Sequence, residues 1–202
     1  MIKQILTTLI VLFCFNQVEA QNIGFKLVGG ANFCQVDGDQ MSGFNKLGFR
    51  FGIGSFINTD KEDELGFELT YTQKGSRTAN DPDNPPPFIV RYNYNYIEAP
   101  IYYQKKLKDF GLKFAIAPAY YISARADQGG GFVDDPGLRK FELSGIVGPS
   151  YNINDQWSFY MHYQYSLMSI IDLNKSQVPG AAWRRTGVYN HLISAGLNLK
   201  FK

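Results

Sequence analysis

The chain has 202 residues, 45% of them hydrophobic and 15% aromatic, with 20 glycines and a formal charge of +2. A charge that small argues against nucleic acid as a partner. Two cysteines, one of them inside the N-terminal apolar segment, leave Cys34 alone in the remainder and exclude a disulfide framework there.

Residues 1–20 read as a secretory signal peptide. Lys3 supplies the positive start, Ile5 to Phe15 the apolar stretch, and Val18-Glu19-Ala20 a small-x-small site, so cleavage before Gln21 is expected. The stretch is shorter than the roughly 20 residues of a spanning helix. Phe13 stands where a lipidated Cys14 would need a small residue before it.

Residues 21–202 read as one domain, with no linker and no helix-period segment of useful length. Alternation of period two recurs instead, the mark of strands with one apolar and one polar face. Ile23, Phe25, Leu27, Ala31 and Phe33 alternate with Gly24, Lys26, Gly30 and Asn32. Leu47, Phe49, Phe51 and Ile53 alternate with Gly48, Arg50, Gly52 and Gly54; Leu65, Phe67, Leu69 and Tyr71 with Gly66, Glu68, Thr70 and Thr72. A fourth segment sets Ile97, Ala99 and Ile101 against Tyr96, Glu98 and Tyr102. The fifth sets Leu112, Phe114 and Ile116 against Lys113, Ala115 and Ala117, and the sixth Phe141 and Leu143 against Glu142 and Ser144. In the seventh, Trp157, Phe159, Met161 and Tyr163 alternate with Ser158, Tyr160 and His162, and in the eighth Ile193, Ala195, Leu197, Leu199 and Phe201 with Ser194, Gly196, Asn198 and Lys200. Pro100, Pro118 and Pro149 fall inside these strands and predict bulges or shifts of register.

The connections alternate in length. Residues 58–64, 108–109 and 154–156 are short polar turns; 36–46, 76–91, 127–139 and 174–187 are long. An even strand count with short turns at one end and long loops at the other is the outer-membrane pattern. The expected fold is all-β: an eight-stranded antiparallel transmembrane β-barrel of outer-membrane type, with periplasmic termini and extracellular long loops. A soluble barrel would bury its apolar face, and would then display no reason for Lys26, Arg50, Glu68, Glu98, Lys113, Glu142 and His162 to share the other. These seven are the candidate lumen network, with Glu98 and Arg50 expected to meet and His162 to titrate beside a glutamate. Tyr92, Tyr94, Tyr96, Tyr102, Tyr103, Trp157, Tyr160, Tyr163 and Tyr189 are expected near strand ends, at headgroup level.

A barrel of eight strands has just enough interior for its own side chains, so the lumen is expected to be closed. His162 and His191 are the general-base candidates of the usual type and neither has a nucleophile motif around it, so no enzyme, metal or cofactor is expected. Asp37-Gly38-Asp39 reads as turn chemistry before calcium. Among the loops, Pro85-Pro86-Pro87 is stiff, and Trp183 beside Arg184 and Arg185 is a candidate contact for lipid headgroups or a protein. The expected job is therefore a structural or accessory subunit, its partners outer-membrane lipid and a larger outer-membrane complex; the alternatives are a small-solute porin or a free-standing barrel that binds ligands through its loops.

From about residue 22 onward the chain resembles the PorT-type outer-membrane β-barrel family of Bacteroidota. The match is carried by Tyr96-Ile97-Glu98-Ala99-Pro100-Ile101-Tyr102-Tyr103, by Gly145-Ile146-Val147-Gly148 before Trp157, and by Tyr163-Gln164-Tyr165-Ser166-Leu167. Where that family commonly has arginine this chain has His162. The resemblance implies the barrel and its location and, through some members, a part in type IX protein secretion.

Overall fold

The computed structural model describes residues 23–39, 41–59, 61–80, 82–83, 85–86, 89–127, 129–134, 137–171 and 187–201. The expected signal peptide, Cys14, and the loop residues Trp183, Arg184 and Arg185 lie outside them.

Alternating segments of the sequence become β1 (Ile23–Asp37), β2 (Lys46–Asn58), β3 (Glu64–Lys74), β4 (Arg91–Glu98), β5 (Ile101–Leu107), β6 (Phe110–Asp127), β7 (Phe132–Asp134), β8 (Phe141–Asn152), β9 (Trp157–Ser166) and β10 (Tyr189–Phe201). All pairings are antiparallel. Each wall strand pairs with its neighbours in chain order, and β1 closes on β10 from Phe25↔Phe201 to Asp37↔Tyr189. The wall has eight strands, because β4 and β5 are two pieces of one: both lie between β3 and β6, separated by Ala99 and Pro100. The short β7 folds back on the end of β6 in the third long loop.

The prolines act differently from one another. Pro100 breaks its strand, yet its carbonyl still accepts from the Glu68 amide at 2.9 Å. Pro118 makes no bulge. The irregularity of β6 falls later, where Asn95 pairs with Ser123 but Tyr96 with Tyr121. The extra residue there reverses the alternation, so Ala119 and Ala124 both point inward. Around Pro149 the β8–β9 register is the same on both sides, Val147↔Tyr163 and Ser150↔Tyr160, and the ladder lapses between them.

Burial alternates around the whole wall, with the apolar parity outside. Phe25, Phe51, Ile101 and Phe110 are each more than half exposed, whereas Lys26, Arg50, Glu98 and Glu142 are buried. This is inverted relative to a water-soluble core and is the arrangement lipid requires, since closure leaves no strand edge unpaired in the hydrocarbon. At the long-loop end, Val36, Tyr94, Tyr96, Leu138, Ile170 and Val188 form an apolar plug inside the barrel. Nearer the short turns, Phe56, Tyr102, Ala115, Ala117 and Ile146 form a second apolar layer.

Candidate functional site: the filled lumen and the outer rim

Between the two apolar layers, and past the lower one at Glu64 and Lys200, the lumen is filled by charge. Inward side chains from strands far apart in sequence reach across the barrel, and glycine gives them room. A Cβ on Gly54 would stand 3.0 Å from Glu68 Cγ and 3.2 Å from Lys26 Cε.

In the half toward the short turns, Glu68 meets Lys26 Nζ at 2.8 Å, Lys113 Nζ at 2.5 Å and Arg50 Nη2 at 3.3 Å. Glu64 meets Lys200 Nζ at 2.6 Å and Lys26 Nζ at 3.4 Å, and accepts a short hydrogen bond from the Tyr102 hydroxyl. The Tyr102 ring lies beneath both Lys26 (4.0 Å) and Lys113 (4.4 Å), a cation–π arrangement. Four basic groups face two carboxylates in this cluster. In the other half one basic group makes the salt bridges to two carboxylates, with Arg50 acting on Glu98 from the first cluster. Lys74 Nζ sits 2.7 Å from Glu98 and 2.8 Å from Glu142. Glu98 also accepts from Thr72 (2.9 Å) and Gln164 (2.7 Å), and Glu142 from Ser144 (2.9 Å), Asn190 (3.0 Å) and Ser166.

All seven sequence-derived lumen candidates, Lys26, Arg50, Glu68, Glu98, Lys113, Glu142 and His162, therefore lie inside, and Arg50 and Glu98 act on each other electrostatically there although each has its salt bridge elsewhere. Arg50 bonds Glu68, while Glu98 is held by Lys74. His162 makes no hydrogen bond or ion pair with a glutamate among the described residues, but Glu68 acts on it electrostatically, together with Lys113, Arg50 and Lys26. Its ring stacks on Tyr160 at 4.6 Å, and its Nε2 is buried without a partner. Lys74, Glu64 and Lys200 were not singled out from sequence, although each continues the polar parity of its strand. Tyr94, Tyr96, Tyr102 and Tyr160 lie in the lumen and not at headgroup level, because their parity faces inward. Below the charged layers a cavity of about 320 Å³ opens among the short turns, lined by Glu64, Lys200, Glu62, Lys106 and Asp109 among others.

At the long-loop rim, the first loop is tied down. Asp39 accepts from the Met41 amide at 2.8 Å and from the Ser76 hydroxyl of the second loop, and Gly38 takes a positive φ of 90°. Burial pushes the Asp39 carboxyl above its usual range, against the opposing pull of those two hydrogen bonds. Asp37-Gly38-Asp39 is thus turn chemistry. His191, without an evident partner in the sequence, has two: Asp37 Oδ1 lies 3.3 Å from Nε2, and the Tyr163 hydroxyl 3.3 Å from Nδ1. Phe44 and Tyr165 pack against its ring. Among the described residues no nucleophile completes this arrangement, and no group of His, Cys, Asp and Glu has the geometry of a metal site.

The sequence matches the family model described as outer membrane protein beta-barrel domain over residues 5–201. No curated protein matches it. Among solved structures, Neisserial surface protein A (NspA) is similar with a TM-score of 0.56 at 16% identity, over 88% of this chain and 97% of that one. Ail, the attachment invasion locus protein of Yersinia pestis, is similar both in complex with the heparin analogue sucrose octasulfate (TM-score 0.53) and without it (0.51). In both cases identity is 12%, over 89% of this chain and 98% of that one. At such identities the likeness is one of fold.

Proposed function

We propose that this chain, which belongs to the outer membrane protein beta-barrel domain family, is a non-conducting, non-enzymatic barrel that works through its lipid-facing wall and its outer loops. The observation that carries the reading is the filled lumen: two apolar layers and two ion-paired clusters occupy the space through which a solute would pass. An ion crossing it would have to displace salt bridges whose partners are a few per cent exposed at most. The termini and short turns then face the periplasm and the long loops the exterior, in keeping with short periplasmic turns and longer extracellular loops in such barrels.

The turns offer little surface, so the working role falls to the wall and the loops. An accessory or scaffold subunit beside a larger outer-membrane machine, with protein secretion as the PorT-type resemblance implies, is the first form of this role. A free-standing barrel that meets external ligands through its loops is the second. It gains support from the neighbouring folds, a surface protein and an attachment protein crystallised with a sulfated sugar.

Planar-bilayer recording of the purified full chain tests the closed lumen. Silence is expected, and reproducible single-channel steps would overturn it. Affinity purification of the tagged chain from native membranes in mild detergent separates the two roles: a large barrel that co-purifies across detergents supports the accessory subunit, and a lone monomer supports the second.

A further inference from the structure

At mid-lumen, side chains from β2 and β9 meet across a bare stretch of wall. Arg50, Gly30, Gly196 and Tyr160 form one row across β2, β1, β10 and β9. With no side chain on the two middle strands, the Tyr160 hydroxyl lies flat on the wall. It is 2.6 Å from where a Cβ on Gly30 would stand and 2.7 Å from one on Gly196. Arg50 starts one strand further on, about 5 Å from that Gly30 position, and its guanidinium and the Tyr160 hydroxyl act on each other electrostatically. The inward neighbours of Arg50 on its own strand are Gly48 and Gly52, and Gly148 lies beside His162. The His162 ring, stacked on Tyr160 at 4.6 Å, ends in the same region, where Lys113 and Arg50 act on it.

These three groups are polar, buried and unanswered. Arg50 is 2% exposed, Tyr160 1% and His162 4%. Among the described residues, Arg50 Nε and Nη1, the Tyr160 hydroxyl and His162 Nε2 have no hydrogen-bond partner. A buried donor left without a partner is costly, and here several stand together. Arginine only donates. Tyr160 and His162 accept from none of the cations around them, so both are free to donate.

Charge points the same way. Between the apolar layers Lys26, Arg50, Lys74 and Lys113 face Glu68, Glu98 and Glu142, an excess of one positive charge, while Glu64 and Lys200 offset each other past the lower layer. The excess lies on the side of Arg50, where Lys26, Arg50 and Lys113 share Glu68. A buried charge without compensation is unfavourable. Loss of a proton would remove the excess and leave the donors orphaned. A water would satisfy the donors and leave the excess. An anion does both. It has to be small, because long side chains fill the lumen, and monovalent, because the excess is one. The Nε–H and Nη1–H bonds of a guanidinium diverge, so a single ion takes one of them together with the Tyr160 hydroxyl and His162 Nε2–H.

We propose that the lumen holds a buried monovalent anion of the chloride class, seated between Arg50, the Tyr160 hydroxyl and His162 Nε2. The inference rests on the closed lumen proposed above and adds a ligand to it. The full chain is refolded into zwitterionic vesicles in mixtures of sodium chloride and sodium gluconate at constant ionic strength, so that screening is fixed. Urea unfolding is then followed by tryptophan fluorescence. An ion bound only by the folded chain lowers the unfolding constant by about tenfold for each tenfold rise in chloride above its dissociation constant. Tyr160→Phe should weaken that binding about tenfold, and Arg50→Met should abolish the chloride dependence. Lys106→Gln, exposed at the short-turn end, should keep it. Heat-dependent gel migration reports whether each variant is folded; should Arg50→Met fail that check, Tyr160→Phe combined with His162→Phe takes its place. In crystals grown in bromide, an anomalous scattering peak beside the Tyr160 hydroxyl is expected, which a water would not give. Equal unfolding constants in chloride and gluconate, folded variants with the wild-type chloride dependence, or an ordered Arg50 with no bromide peak beside it would overturn the anion site. Any of these with a silent bilayer trace leaves the closed lumen standing, whereas channel steps strike at the closed lumen itself.

Discussion

Lys74 is the residue on which the upper half of the lumen turns. Its ammonium is 1% exposed and supplies the positive charge within 2.8 Å of both Glu98 and Glu142. Replacing it by methionine keeps the length of the side chain and removes the charge. Each lost bond to a charged group is worth about 1.5–3 kcal/mol, and two are lost. Breaking a buried pair by removing one partner costs about 3–5 kcal/mol by direct comparison with other proteins, so the two routes agree. Two buried carboxylates then lose their shared salt-bridge partner, leaving Arg50 as the remaining charge acting on Glu98. Neutralising them as well, in Lys74→Met with Glu98→Gln and Glu142→Gln, should recover most of the loss, because each glutamine keeps one acceptor oxygen, for Gln164 at position 98 and Asn190 at position 142, and its amide nitrogen can donate to the hydroxyls of Thr72, Ser144 and Ser166. Urea unfolding in lipid vesicles, followed by tryptophan fluorescence and gel migration, gives both numbers. A single variant within about 1 kcal/mol of wild type, or three substitutions whose costs simply add, would refute the reasoning.

Two further outcomes follow from local geometry. A Cβ on Gly30 would stand 2.5 Å from the Ala195 carbonyl oxygen and 2.6 Å from the Tyr160 hydroxyl, whereas Gly29, on the lipid side, has nothing within 4 Å. Gly30→Ala should therefore cost about 1–3 kcal/mol and Gly29→Ala nothing, read as urea midpoints; equal midpoints would contradict the inward and outward assignment. The Asp39 carboxyl, raised by burial, contributes stability that is complete below the ordinary carboxylate range and lost as pH rises through its folded value. Hydrogen exchange in residues 41–46, corrected for its intrinsic pH dependence, should slow on acidification from pH 7 toward about 4, and Asp39→Asn should remove the difference.

The wall was legible from sequence because a period of two survives wherever backbone geometry is regular. It also assigns Lys26, Arg50, Glu68, Glu98, Lys113, Glu142 and His162 to the interior without any knowledge of partners. What parity does not encode is the stagger between strands, so the direct bonds of Glu98 to Lys74 and of Arg50 to Glu68 needed the register. Lys74 itself continues the parity of Glu68, Thr70 and Thr72 one step beyond where the alternation looked finished. Ring type gave the wrong depth for Tyr96, Tyr102 and Tyr160, since an aromatic residue suits a membrane interface and a crowded lumen equally well and only its parity separates them. The bulge after Tyr121 has no proline to announce it.

The lumen contacts join residues remote along the chain: Lys74 and Glu142 are 68 positions apart, Lys200 and Glu64 136, Ser194 and Asn32 162. No single hairpin contains both halves of these bonds. Until β10 meets β1, Lys200 and Glu64 lack each other, and the β1 edge is unpaired, which hydrocarbon will not accept. Contacts of such long range also form late, because loop closure must precede them. The bonds of Lys200 to Glu64 and of Ser194 to Asn32 therefore arrive with the final seam, after adjacent strands have made Arg50–Glu68 and Lys74–Glu98. A chain lacking β10 is therefore expected to leave Lys200's partner Glu64 and the open edges of β1 and β9 unsatisfied, and not to hold stably in a bilayer.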